Sequence, residues 1–107
     1  MNITKSPSEC NSKEEIRMQI DQIDKEIISL FALRFQYVCE IVKFKSDAES
    51  IVALNRKNEV IELRGEWAEN LGLDNHTFKQ IYKLLIEHNI KKEMEILHEN
   101  LNQQHIT

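Results

Sequence analysis

A chain of 107 residues has room for one domain with a single modest core, so several domains are not expected. Two glycines, one proline and 30% charged against 41% hydrophobic residues are typical of a helical protein and disfavour a β-rich or disordered one. The formal charge of −4 lacks the basic excess that a broad nucleic-acid or anionic-membrane surface needs, so we expect no nucleic-acid and no membrane partner. Any anion-binding site must therefore be local.

Cysteine usage and the N-terminal segment predict a cytoplasmic protein. Cys10 and Cys39 have neither metal-type spacing nor a disulfide framework, which fits free thiols in a reducing compartment. The start "MNITKSPSEC" has no apolar signal region, and no apolar run reaches the roughly 18 residues of a membrane span. No zinc-type spacing joins the four histidines, so no metal is expected at His76, His88, His98 or His105.

The chain begins with a polar arm and then a helix-start signal. Residues 1–11 contain the only proline and are predicted to form a flexible arm. Ser12 stands three residues before Glu15, which is the capping-box pattern of a helix N-terminus. We expect the helical domain to cover residues 12–101, and residues 102–107, which carry no pattern, to fray.

The first helix is predicted to run from Ser12 to about Lys45 without a Gly or Pro. Its apolar stripe extends from Ile16 to Ile41, but Arg34 and Lys45 occupy stripe positions, within about 20° of each other around the helix. Such a helix spans about 50 Å at about 1.5 Å per residue, whereas a compact chain with a radius of gyration of about 13 Å is about 34 Å across. Because the helix is longer than a compact chain of this size is wide, we predict an intertwined homodimer in which a second chain covers the part that extends beyond the first.

Two further helices complete an all-α chain with three helices. After the polar connection "SDAESIVAL", the second helix is predicted to begin near Asn55, with Arg56 opening its apolar stripe. Gly72 is placed as the left-handed residue that ends this helix, and Asp74 can cap the third. On the third helix, two polar residues, Asn89 and Glu93, replace apolar residues on or beside the stripe.

The polar residues on core stripes predict a pocket for a small dianion. A buried unpaired cation costs several kcal/mol, so each one needs an anionic partner from the fold or from a ligand. Any single cation could pair with a carboxylate of another helix or extend from a helix end to solvent. The coincidence on three helices favours the pocket instead; its members are Arg34, Lys45, Arg56, Asn89 and Glu93.

Four segments together resemble the all-helical (type II) chorismate mutase family, most closely the branch that includes isochorismate pyruvate lyases. They are "IRMQIDQIDKEIISLFALRFQYVCEIVKFK", the "NR" that starts helix two, "RGEWAENLGLD" and "IYKLLIEHNIKKEM". The resemblance covers about Ile16 to Met94. It implies an interwoven dimer with two identical pockets, each receiving Arg17 from the other subunit. Arg17 itself lies about 100° around the helix from Arg34, so it cannot comfortably serve the same pocket within one chain.

The resemblance also implies roles for these residues. Arg17 and Arg34 would hold the two carboxylates of the substrate and Arg56 would support one of them. Lys45 would donate to the ether oxygen of chorismate as the bond breaks. The rearrangement to prephenate is intramolecular, so holding the substrate and stabilising charge suffice without a cofactor or metal. Lyase relatives use the same cage to form salicylate and pyruvate from isochorismate.

Departures from the family pattern leave the reaction open. Lys57 stands where many mutases have a glutamate and the lyases an apolar residue; the alternative is a solvated lysine in the first turn. Glu93 replaces the usual bacterial glutamine, as in fungal mutases, and Asn89 replaces a small hydroxyl residue. Glu93 could donate to the ether oxygen only when protonated; an ionised Glu93 would instead pair with Lys57 or Lys45. The alternative of another class is a catalytically weak helical dimer that binds a protein or a metabolite.

Overall fold

The computed structural model describes residues 5–106, apart from the side chains of residues 104–106, and within this range the chain forms helices and no strand. The helices are α1 (Lys13–Ile41), α2 (Ala48–Val52), α3 (Leu54–Asn70) and α4 (Asn75–Ile106), with 3₁₀ turns at Pro7–Glu9 and Val42–Phe44. The all-α prediction is confirmed, and three of the helices are long. Four residues of the predicted arm, 1–4, and residue 107 of the predicted tail lie outside the described residues.

The chain divides into two compact units, one ending at Tyr37 and the other beginning at Val38. The first unit contains the N-terminal 3₁₀ turn and most of α1. The second contains the end of α1, the second 3₁₀ turn and α2, α3 and α4. In this second unit α4 packs against α3, α2 and the 3₁₀ turn, so α4 is its central element.

The start of α1 is fixed by the predicted cap. Ser12 Oγ accepts the backbone N–H of Glu15 at 3.1 Å, which confirms this half of the capping box. The Glu15 carboxylate accepts the backbone N–H of Asn11 at 2.7 Å, one residue before the expected partner, and the ammonium of Lys5 at 3.1 Å. These two contacts, chiefly the one from Asn11, hold the pKa of Glu15 below its ordinary value. The flexibility of residues 1–11 stays a prediction.

The predicted end of the first helix is wrong. The α-helix ends at Ile41 and tightens into the 3₁₀ turn Val42–Phe44, after which Lys45 has extended backbone with φ −115° and ψ 129°. The backbone N–H of Lys45 closes the turn by donating to the carbonyl oxygen of Val42 at 3.0 Å. Val42, the first residue of this turn, is buried in the apolar core of the second unit. Lys45 is therefore not on the helical stripe.

The predicted polar connection contains the short helix α2, which the sequence analysis missed. Asp47 caps it by accepting the backbone N–H of Ser50 at 2.7 Å, and this hydrogen bond is the main reason that the pKa of Asp47 lies below its ordinary value. Ile51 on α2 is buried. Ala53 then joins α2 to α3 with φ 37°, the single positive φ of a non-glycine residue within the described range. The spacing of Asp47 and Ser50 was the signal that could have indicated this helix.

The junction of α3 and α4 follows the sequence prediction. Gly72 has φ 81°, and its N–H donates to Glu69 O at 3.0 Å while the N–H of Leu73 donates to Ala68 O at 2.9 Å. This pair of hydrogen bonds is the Schellman motif, which needs a left-handed residue that glycine adopts at low cost. Asp74 then accepts the N–H of Thr77 at 2.9 Å and caps α4, as predicted.

The last helix is longer than the predicted domain. α4 has 32 residues and continues past Leu101 to Ile106. Whether its last turns fray in solution stays a prediction. Its residues beyond Met94 contribute Leu97 to the buried core, so this part of the helix has a packing role.

Candidate functional site

Two polar side chains are buried on one face of α4. Asn89 and Glu93 are only 5% and 6% exposed, and they are four residues apart, so they lie one above the other on the helix. Their predicted place in the core is confirmed. A carboxylate in such a place needs a cation or hydrogen-bond donors, because its desolvation is otherwise uncompensated.

Lys45 supplies the cation. Its ammonium Nζ donates to Glu93 Oε1 at 3.0 Å, although 48 residues separate the two in sequence. The side chains are 20% and 8% exposed, so the ion pair is largely shielded from water. The structure thus brings together the two residues that the sequence analysis placed in the catalytic set. Of the two ionic partners foreseen for Glu93, it selects Lys45 rather than Lys57.

An apolar cluster is formed by the segments that carry this ion pair. Its buried members are Val42 from the 3₁₀ turn, Ile51 from α2 and Leu97 from α4, with Ile90 and Ile96 half-buried against them. Val42 is three residues before Lys45, and Leu97 is four residues after Glu93. The cluster therefore ties together the turn that precedes Lys45 and the helix that carries Glu93.

Arg56 lies at the surface of the second unit. Its guanidinium contacts Glu59 at 3.4 Å within α3, and both side chains are more than 60% exposed. An exposed pair of this kind contributes little to stability. Arg56 therefore opens α3 without entering the apolar core, and its contact with a substrate carboxylate stays a prediction.

Lys57 is engaged with a different residue of α4. Its ammonium contacts Glu87 at 3.3 Å, and its side chain is mostly buried, so it is not the solvated lysine of the alternative reading. Glu87 is six residues before Glu93, about 120° around the helix, so Lys57 and Lys45 contact different faces of α4. The sequence analysis missed Glu87, because no local pattern joins residues that are 30 positions apart.

The remaining predicted ligands, Arg17 and Arg34, belong to the first unit. Arg17 is exposed and Arg34 is half-buried on α1. Their roles as carboxylate ligands, and that of Asn89, stay predictions.

The described residues contain neither a metal-type cluster nor a membrane-spanning helix. Among them, no group of three or more His, Cys, Asp or Glu could hold a metal ion; the side chain of His105 is not among the described ones. No helix within the same residues combines the length and apolar character needed to cross a membrane. The cytoplasmic location stays a prediction.

Comparison with known proteins decides the family. The family described as Chorismate mutase type II matches residues 16–94, from the first turn of α1 to the residue after Glu93. The chain belongs to the chorismate mutase type II family. It is also 36% identical over 70 residues to the isochorismate pyruvate lyase of Pseudomonas aeruginosa, an alignment that covers 65% of this chain and 69% of that protein. As a type II chorismate mutase family member, the chain carries both Lys45 and Glu93 inside the matched region, whereas Leu97 lies beyond it.

The ion pair predicts a measurable loss of stability. Replacement Lys45→Ala leaves the buried Glu93 carboxylate without its cation. We expect the free energy of unfolding to fall by about 1–3 kcal/mol, between the values typical of exposed and of buried pairs. Urea denaturation at pH 7, followed by circular dichroism, measures this change.

A surface pair provides the matched control. Lys43 pairs with Glu40, and both side chains are well exposed, so Lys43→Ala should change the free energy of unfolding by no more than about 0.5 kcal/mol. The double variant Lys45→Ala, Glu93→Gln should recover part of the loss, because it removes the unpaired charge. Equal effects of the two lysine variants would contradict the buried pairing.

Proposed function

We propose that this protein is a pericyclic enzyme that rearranges chorismate to prephenate in a cationic pocket without a cofactor. The observation that carries the proposal is the shielded Lys45–Glu93 ion pair inside the region that matches the type II family. An ammonium has three N–H donors, so the contact with Glu93 leaves donors for a ligand oxygen. A dicarboxylate substrate with an ether oxygen fits this chemistry.

In the proposed mechanism the side chains hold and polarise the substrate. Arg17 and Arg34 bind the two carboxylates, and Arg56 supports one of them. Lys45 donates to the ether oxygen as negative charge develops there. Because the reaction is intramolecular, the fixed conformer and the preorganised donors lower the barrier, and no nucleophile is needed.

We propose for Glu93 a role in each state of the site. Without substrate its carboxylate balances the charge of Lys45. With substrate bound, Glu93 is proposed to take up a proton from solvent and to face the ether oxygen, because only the protonated carboxyl can donate and the ionised form repels. Asn89, one turn away on the same face, can supply a neutral amide donor.

We also propose an intertwined homodimer in which Arg17 enters the pocket of the other subunit. The support lies in α1: none of its residues, all of which the structure describes, is buried in the single chain. Its apolar stripe is more than 40% exposed at several positions, namely Ile16, Ile20, Ile27 and Leu30. A contiguous apolar stripe of this kind marks an interaction surface, and a second α1 has the matching chemistry.

Isochorismate pyruvate lyase activity is the second candidate. The 36% identity to the Pseudomonas aeruginosa protein of that name favours it, and the same cationic cage could promote loss of pyruvate from isochorismate to give salicylate. Neither reaction requires a change in the residues proposed above. The two candidates differ in substrate and are therefore separable by assay.

A binding role without efficient catalysis is the candidate of another class. The exposed Arg56 and the engagement of Lys57 with Glu87 favour it, because both cations already pair with carboxylates of the protein. Such a protein would bind a dicarboxylate or another protein and convert neither substrate.

The test of function uses chorismate and isochorismate in separate incubations. We expect prephenate from chorismate; salicylate and pyruvate from isochorismate would select the lyase instead. Lys45→Ala should lower kcat by orders of magnitude in either case, while its circular dichroism spectrum at 10 °C stays native. Lys43→Ala, which removes a nearby surface cation, should keep wild-type turnover. Wild-type turnover by Lys45→Ala would place Lys45 among the purely structural residues.

The role of Glu93 predicts the effect of a neutral donor in its place. Glu93→Gln has a similar shape and can always donate a hydrogen bond, so we expect it to keep or raise kcat/KM of the preferred substrate at pH 7. If Glu93 serves only as the ionic partner of Lys45, the glutamine variant would lose activity or stability instead.

The proposed dimer predicts the mass of the protein in solution and which face of α1 is sensitive to a charged substitution. Sedimentation at micromolar concentration should give twice the chain mass of 12.7 kDa. Ile20→Glu places a charge on the apolar stripe and should shift the protein to monomer. Met18→Glu lies about 160° away around α1 and should leave the dimer intact. A wild-type monomer with native helicity would contradict both the dimer and the shared pocket.

A further inference from the structure

The position of Lys45 is not set by a helix. Its backbone is extended, and it follows a 3₁₀ turn rather than the last turn of α1. The backbone contact that fixes it is the hydrogen bond from its N–H to the carbonyl oxygen of Val42 at 3.0 Å. The place of the ammonium therefore depends on where the Val42 turn is anchored.

The turn is anchored by apolar packing. Val42 is almost fully buried, and it belongs to one apolar cluster with Ile51 of α2 and Leu97 of α4. Leu97 is the one buried member of this cluster that α4 contributes among the residues the structure describes. It links the turn to the helix that carries Glu93.

The ion pair and the apolar contact form a two-point attachment. Lys45 is three residues after Val42, and Leu97 is four residues after Glu93, one turn along the same face of α4. A lysine side chain has four rotatable bonds and loses considerable entropy when it is held in one geometry. The apolar contact of Leu97 limits the motion of the turn. The Lys45–Glu93 ion pair therefore has to offset less of the entropy that the lysine side chain loses.

Leu97 lies outside the part of the chain that the family match covers, which ends at residue 94. The continuation of α4 to Ile106 places this residue under the turn and α2. Leu97 thus connects the segment after the match to the Val42 turn by apolar packing.

We propose that Leu97 is a positioning residue that holds the Lys45 ammonium at its working place beside Glu93. The proposal rests on the proposed function where it concerns turnover, since Lys45 is the donor in that mechanism. Leu97 touches no substrate in this scheme; it acts through Val42 and the turn.

The test measures the coupling between Lys45 and Glu93 and does not require activity. A double-mutant cycle with Lys45→Ala and Glu93→Gln is measured by urea denaturation in the wild-type chain and in Leu97→Ala. We expect the coupling in Leu97→Ala to fall below half of its wild-type value. Leu101→Ala, one turn later on α4 and exposed, is the matched control and should keep the full coupling.

A milder variant covers the case in which Leu97→Ala does not fold. Ile51→Val removes one methylene from the same cluster and should weaken the coupling in the same direction. Full coupling in a folded Leu97→Ala chain, or in Ile51→Val when the alanine variant fails to fold, would overturn the proposal. A general loss of stability with unchanged coupling would make Leu97 an ordinary core residue.

Kinetics provides the second measurement. Leu97→Ala should lower kcat on the order of 10-fold to 100-fold with little change in KM, because misplaced Lys45 acts on the transition state and not on binding. Leu101→Ala should retain wild-type kcat. A rise in KM alone would contradict the positioning role. A wild-type chain that converts neither substrate would overturn the proposed function, and the coupling measurement would still decide the role of Leu97.

Discussion

The second unit is organised around the need to compensate one buried carboxylate. Glu93 lies inside the packing face of α4, where an ionised group without a partner would be costly, and Lys45 meets that need at 3.0 Å. To bring the lysine there, the chain leaves the α1 helix at Ile41, tightens into a 3₁₀ turn and buries Val42. Both side chains of the pair are largely shielded from water. The end of α1, the burial of Val42 and the charge of Lys45 therefore all contribute to the contact between Lys45 and Glu93.

The same contact is central to the proposed function. A buried ion pair is weak evidence for stability, because desolvation offsets much of the attraction. In the proposed function the pair has a chemical role, because an ammonium held in place by a carboxylate is a preorganised donor. In the proposed reaction the substrate would take over part of the hydrogen bonding that Glu93 provides in the free protein.

The helices of the two units are stabilised by different interactions. α1 begins with a well-formed cap, in which Ser12 and Glu15 satisfy backbone N–H groups, yet none of its residues, all of them described, is buried in the single chain. Local signals and helix propensity define such an element, but tertiary packing normally stabilises it. α3 and α4, in contrast, pack against each other within one chain. The exposed stripe of α1 is the physical basis of the proposed dimer.

Features that depend on local chemistry could be predicted from the residues alone. Helix boundaries were indicated by local signals at Ser12, Gly72 and Asp74. The polar positions on α4 stood out against its apolar stripe. The spaced cations indicated the chorismate mutase type II family. Only the tertiary structure decided which charges meet. Lys45 pairs with Glu93 across 48 residues and Lys57 with Glu87 across 30, and α1 ends early, where Val42 enters the core. Periodicity reports which face of an element is apolar; it carries no information about which distant residue that face will contact.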